Sequence, residues 1–580
     1  MSTMAALNAL AAPAMPHLML APVLLPLLTA ALMLLLGEGK PRLKLAFNMA
    51  STLLGLVVAI GLLGWAGQQG AARPMAVYLA GNWPAPYGIV LALDRLSALM
   101  LVLTATVALA ASVFAAARWH QVGVHFHPLF QLQLMGLCGA FLTADLFNLF
   151  VFFEIMLAAS YGLLLHGSGR ARVQAGLHFI AVNLVASSLF LIGASMLYGI
   201  TGTLNMADLA QQIAGVADTD RGLLHAAAGI LATAFLIKAA VWPLNFWLVP
   251  AYSAATAPVG ALFALMTKVG VYAVLRLWLL LFGAQAGVSA HFGGAWLVGA
   301  GMVTMAFGAI GMLGAQRLGH LAGFGAIVSS GTLLAAAGFA RPGLTAGLLY
   351  YLPSSTLALS ALFLITDLVE RWRSDGALAS YDRDDAPFLT PELVPLKPTE
   401  LDDEAQALAG RVIPAAVALL GLAFMACTLV VAGLPPLSGF VGKFAMLTAL
   451  LNPEGLGRAG DGPVGAAGWA LLALLLATGL LALLALTRTG IVHFWAAPAR
   501  AALRVRVAEG LPVAALLGAC VALTLQAGAV MDYMQAAAGA LHAPGQYVQA
   551  VMSARPVPGV QAPRAAPAAG LDGANAKGTP

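Results

Sequence analysis

Charge is the first thing this chain lacks. Of 580 residues only 9% are Asp, Glu, Lys or Arg, while 61% are hydrophobic and the mean hydropathy is +0.90. Soluble domains carry about 25% charged residues, so there is too little here to cover a solvated surface, and a soluble enzyme is excluded. Cysteine is nearly absent as well. Cys138, Cys427 and Cys520 each fall inside an apolar run, with no C-x-x-C or C-x-x-C-H among them. They read as small packing residues, which excludes a disulfide framework and cysteine-bound redox groups. No dinucleotide fingerprint follows a strand, and Gly167-Ser168-Gly169-Arg170 is a turn without the rest of a phosphate loop. The net charge of +5 comes from loop residues and forms no basic face, so no nucleic-acid partner is expected. His120, His125 and His127 share one loop, where an H-x-H pair reads as solvated, so neither a metal nor any other cofactor is expected.

What the chain has in abundance is long apolar runs. They lie near 16–37, 44–66, 91–117, 128–145, 147–166, 173–200, 223–249, 256–282, 294–314, 321–340, 344–370, 412–449, 464–492 and 510–530. About 20 apolar residues suffice to cross a hydrocarbon layer of roughly 30 Å as a helix. The fold class is therefore an all-α polytopic membrane protein of about fourteen transmembrane helices. The first run is not a signal peptide by pattern, because no basic stretch precedes it and the first charge is Glu38. Lys and Arg divide unevenly between alternate loops, with 16 on the side of Lys40, Arg118, Arg317 and Arg371 and 9 on the other. The richer side should be cytoplasmic, which puts both termini outside a bacterial inner membrane. Residues 374–411, acidic and punctuated by proline, read as a solvated cytoplasmic loop of partly helical character. The Ala/Pro/Gly tail from 553 reads as disordered.

A charged side chain near the bilayer centre costs several kcal/mol by insertion scales. Each one therefore needs a partner, a wet cavity or a function. Glu154 in Phe150-Val151-Phe152-Phe153-Glu154 lies about 10 Å into its span. Lys238 lies five residues before Pro243, and Lys443 follows Gly433-Leu434-Pro435-Pro436. Proline removes a helical hydrogen bond and frees a carbonyl, so Pro243, Pro435 and Pro436 should break their helices near a lysine. Two broken helices five spans apart suggest two inverted five-helix repeats, a design common in secondary transporters. On this reading 1–127 holds the first three helices, 128–283 the first repeat and 284–495 the second, with 496–552 around the last helix and 553–580 the tail. Lys268 is central in an unbroken span. A buried lysine or carboxylate can take up and release protons, so Glu154, Lys238, Lys268 and Lys443 can form a proton relay across the membrane plane. His178 and His320 are candidates to extend it. Asp94-Arg95 at a helix start reads as an interfacial pair.

Asp145-Leu146-Phe147-Asn148-Leu149-Phe150-Val151-Phe152-Phe153-Glu154, Leu236-Ile237-Lys238-Ala239-Ala240-Val241-Trp242-Pro243, Met266-Thr267-Lys268-Val269-Gly270 and Leu434-Pro435-Pro436-Leu437-Ser438-Gly439-Phe440 occur in this order. They resemble the antiporter-like subunits shared by proton-pumping NADH:quinone oxidoreductases and Mrp-type multisubunit cation/proton antiporters. Leu321-Ala322-Gly323-Phe324, Val328-Ser329-Ser330-Gly331-Thr332 and the acidic loop make the chain most similar to the D-type component of the Mrp-type (Pha-type) antiporter. The resemblance implies a Glu154–Lys238 charge pair in the first half-channel, Lys268 as the central relay and Lys443 in the second half-channel. Where quinone-reductase relatives commonly carry histidines, this chain has Ser329, Ser330 and Pro353-Ser354-Ser355-Thr356, so the central relay would depend on hydroxyls, with Thr356 a further candidate, and on water. The implied function is a proton-translocating subunit of a hetero-oligomeric complex that exchanges cytoplasmic Na+ (or K+, Li+) for external protons. A membrane-arm subunit of a redox-driven quinone or hydrogenase-type complex is the alternative, and a scaffold for small partner subunits a third reading.

Overall fold

The computed structural model describes residues 15–37, 39–68, 75–119, 123, 125–381, 415–452, 464–495 and 505–557. Among them the spanning segments are α1 (Ala21–Leu35), α2 (Pro41–Gln68), α3 (Arg95–Ala117), α4 (Phe126–Leu142), α5 (Leu146–Leu164) and α6 (Arg170–Thr201). A short α7 (Met206–Ala214) precedes α8 (Asp218–Lys238), α9 (Leu248–Ala254) and α10 (Ala257–Leu281). Then come α11 (Gly294–Gly314), α12 (Leu318–Gly338), α13 (Pro342–Tyr381), α14 (Ala415–Ala432), α15 (Ser438–Leu451), α16 (Ala466–Gly490) and α17 (Val507–Leu525). Twelve helices among the described residues are long and apolar enough to cross a membrane. With the shorter α1, α4 and α15 they occupy each of the fourteen expected runs.

The bundle is organised around two enclosed helices. The apolar windows of α10 and α13 are buried along their whole length. Lipid-facing helices show the opposite pattern. Leu476, Leu480 and Leu484 form an exposed i, i+4, i+8 stripe on α16, and Leu177, Leu184, Leu191 and Ile192 are exposed on α6. Lys268 therefore sits at the centre of the protein.

Both expected breaks occur, and each resolves its freed backbone groups differently. After Lys238, Ala240 turns left-handed (φ 55°), and the chain crosses Pro243 before α9 begins. The Trp242 amide donates to Thr304 Oγ1 on α11 (3.0 Å), and Trp247 Nε1 donates to the Ile237 carbonyl (3.3 Å). The second break is an interruption of five residues, so the long twelfth run is two helical pieces, α14 and α15. Gly433 (φ 79°) sends the chain out of α14.

On one face lie elements that the apolar pattern did not foretell. A hairpin of β1 (Ala76–Leu79) and β2 (Val90–Leu93) pairs Ala76 with Leu93 and Leu79 with Val90. On the same face, α18 (Ala527–Leu541) and α19 (Pro544–Met552) follow α17, and Tyr533 donates to the Arg95 carbonyl (2.9 Å). On the opposite face arginines cap helix ends. Arg172 bonds the carbonyls of Ala254 and His166, Arg488 those of Leu313 and Ala315, and Arg506 that of Ala117. A cation there complements the partial negative charge of a helix C-terminus. The acidic loop lies beyond the described residues except for its first turns, which continue α13 to Tyr381. The tail beyond 557 and His120 also lie outside the described residues, and His127 is buried in α4.

Candidate functional site

Glu154 sits half-buried on α5, facing α6, where the Ser187 hydroxyl donates to its carboxylate. Lys238, the last residue of α8, is buried, and its ammonium has no hydrogen-bond partner among the described residues. It stands 5.2 Å over the ring of Phe153, the neighbour of Glu154. The two charges interact electrostatically without forming a direct ion pair. A buried ammonium stacked on a ring gains some cation–π stabilisation but keeps its donors unused. Tyr161, two turns from Glu154 on α5, also has a buried hydroxyl without a hydrogen-bond partner among the described residues. This pocket thus holds one acid and one base with donors to spare.

Lys268 is entirely buried, and its Nζ donates to Ser329 Oγ on α12 (2.8 Å). Ser329 in turn donates to Ser355 Oγ on α13 (2.9 Å). The adjacent Ser354 meets Ser438 Oγ, at the start of α15, at 2.8 Å. Neighbouring helical residues point about 100° apart. Ser355 therefore faces Lys268 while Ser354 faces the second break. Beyond Ser438 on α15 is Lys443, also buried, whose Nζ donates to the carbonyls of Ala432 (2.8 Å) and Val431 (3.3 Å) at the end of α14. Lysines and hydroxyls thus line a polar route from Lys268 toward Lys443 through the interior of the bundle.

The remaining candidates are placed elsewhere. Thr356 spends its hydroxyl on the Leu352 carbonyl (2.7 Å), and Ser330 is buried without a hydrogen-bond partner among the described residues. His178 is exposed on α6 and bonds the carbonyl one turn back. His178 and His320 line one cavity of about 790 Å³ together with Arg317 and Glu370, on the arginine-rich face. Asp94 does not pair with Arg95. Its partner is Arg276 on α10, which reaches both carboxylate oxygens at 2.6 and 2.7 Å. Ser187 and Ser438 are the additions that residue type alone does not single out. The three cysteines are free and buried.

The family model for "NADH:quinone oxidoreductase/Mrp antiporter, TM" matches residues 143–382, which carry Glu154, Lys238, Lys268 and Ser329. A probable K(+)/H(+) antiporter component of the D type from Rhizobium meliloti is 52% identical over 540 residues, spanning 93% of this chain and 98% of the relative. The chain belongs to the D-type family of Mrp antiporter components. The D-type component of the Na(+)/H(+) antiporter of Bacillus subtilis is 31% identical, with 93% of this chain and 100% of the relative covered. Among solved structures, a chain of the Mrp complex from Dietzia sp. superposes with a TM-score of 0.78 at 26% identity, covering 93% of this chain and 99% of that one. A chain of respiratory complex I from Thermus thermophilus shares the fold, with a TM-score of 0.69 at 21% identity, 91% and 99% covered. The relatives named for their activity are thus transporter components and not enzymes.

Proposed function

We propose that this chain is the proton-translocating subunit of a multisubunit monovalent cation/proton antiporter, with Glu154, Lys238, Lys268 and Lys443 as its relay. The observation that carries the reading is the row of one half-buried carboxylate and three buried lysines, with Ser329, Ser355, Ser354 and Ser438 between Lys268 and Lys443. Each group accepts a proton from one neighbour and hands it to the next. Burial keeps water out except where the broken helices open the interior. Pro243, Pro435 and Pro436 set those openings. Residues 128–283 and 284–495 act as two repeats of opposite direction, since broken helices five spans apart cross the membrane in opposite senses.

The arginine-capped face is cytoplasmic and both termini lie outside a bacterial inner membrane. A periplasmic reporter fused after residue 545 should then be active and one within 380–400 silent. The reverse pattern would refute this orientation.

Other subunits of the complex supply the cation path. Dehydrating a monovalent cation takes several oxygen ligands, and Glu154 is the one deep carboxylate of the relay. The K(+)-named relative is the more similar of the two above, which makes potassium the first cation to test. Vesicles containing the complete complex should dissipate a preformed pH gradient on cation addition, and vesicles holding this chain alone should not. Exchange should vanish in Lys268→Ala at normal abundance. Normal exchange in that variant would sink the relay.

A further inference from the structure

The first break closes most of its backbone on itself. The amides of Ala239, Ala240, Val241 and Leu244 donate to the carbonyls of Phe235, Ile237, Leu236 and Val241, at 2.7–3.0 Å. Pro243 has no amide to place. The Trp242 amide is the exception between 239 and 244, because it leaves the segment and donates to Thr304 Oγ1 (3.0 Å) on α11. Thr304 is fully buried, and its own hydroxyl hydrogen goes to the Ala300 carbonyl (2.6 Å) one turn back. The oxygen is therefore held as an acceptor turned toward the break. In its turn α11 is seated on α12 main chain to main chain, since a Cβ added at Gly331 would come within 2.7 Å of the Met305 amide and 2.8 Å of the Gly301 carbonyl. Gly331 stands two residues past Ser329, which accepts from the Lys268 ammonium. One hydroxyl thus joins the segment that begins at Lys238 to the helix pair that carries Ser329. A lone amide at a helix break can be satisfied by a local carbonyl or by water. A fixed acceptor on a second, rigidly seated helix also fixes position.

We propose that Thr304 is a positioning residue of the relay, holding the first break, and with it Lys238, in register with the helix pair that carries Ser329. The proposal rests on the relay reading above. The Lys238 ammonium has no hydrogen-bond partner among the described residues, so its distance from Glu154 follows from where the backbone of the break is held. The attraction between two charges falls with their separation and is strong where water is scarce. A loosened break therefore changes how readily Lys238 takes up and releases a proton, and not only how firmly the helices pack. Thr304 itself carries no proton along the relay, because its hydroxyl hydrogen is committed to Ala300.

The test uses vesicles of the complete complex, with exchange expressed per assembled complex and followed across pH. Thr304→Val keeps the shape of the side chain and removes the acceptor. It should slow exchange several-fold and displace the pH profile, while Thr304→Ser, which keeps the acceptor, should stay close to wild type in both. A wild-type rate and profile in Thr304→Val would overturn the proposal. So would a slower rate with an unmoved profile, or an equal defect in Thr304→Ser, because the contact would then serve only to hold the fold. If Thr304→Val does not assemble, Thr304→Ala carries the same comparison, and failure of both to assemble would overturn the proposal as well. Lys238→Ala, measured alongside, separates the two failures. Normal exchange there removes the relay itself, whereas loss there with an unaffected Thr304→Val removes only the tether.

Discussion

The two broken helices solve the same backbone problem with different donors. At the first, Trp247 bonds the Ile237 carbonyl and Thr304 accepts from the Trp242 amide, so Lys238 takes no part in capping. At the second, the freed carbonyls of Val431 and Ala432 are bonded by Lys443 itself. Lys238 precedes its break and is left with a ring and a nearby carboxylate, whereas Lys443 follows its break and is held by the end of a helix dipole. A lysine relieved of structural duty can follow the charge of Glu154. One that caps a helix must leave its carbonyls to move, and in the proposed relay that cost would tie its proton transfers to local geometry.

The largest effect should come from the first half. Glu154→Ala or Lys238→Ala should reduce exchange more than about tenfold at normal abundance, and Glu154→Asp should keep part of it. Equal, near-normal rates in both alanine variants would break the comparison. Lys443→Ala should impair exchange and also lower thermal stability, because two buried carbonyls lose their donor at about 1–3 kcal/mol each. Lys238→Ala should leave stability nearly unchanged. A melting scan of both complexes would show whether only one lysine is structural. Gly433→Ala sharpens the point. A Cβ there would run into Lys443 Cδ, on a backbone of φ 79°, so exchange and stability should fall together, which vesicle assays and melting would register. Ser329→Ala should give a partial loss, since water can replace one hydroxyl in a chain, and full activity would exclude that serine. The smallest effect belongs to His178→Gln, which should exchange at the normal rate.

The two halves also differ in how much could be read from the sequence. Glu154, the lysines and the prolines stand out because charge and helix breakers are costly in an apolar run, whatever the helix packs against. Ser187 does not stand out, because serine is common in buried helices and only a neighbouring helix shows which hydroxyl has a charged partner. The pairing of Asp94 with Arg276 joins residues 182 apart, so Arg95 looked like the natural partner by proximity. His178 and His320 were candidates to extend the relay because a helix apolar on all sides does not reveal its inward face. The structure puts them at a cavity of the arginine-rich face. The hairpin, α7, α18 and α19 are too short or too polar to announce a span in the sequence.

Gly270, two residues past Lys268, lies so close to the first break that an added Cβ would come within 2.6 Å of the Ala239 amide and 2.8 Å of the Phe235 carbonyl. At Gly270 the helices bearing Lys238 and Lys268 therefore meet main chain against main chain. Thicker or thinner lipid would tilt the outer helices long before it altered this spacing. If the two lysines pass protons as proposed, that traffic should be insulated from the composition of the host bilayer, so that a cell can remodel its lipids without retuning the exchanger.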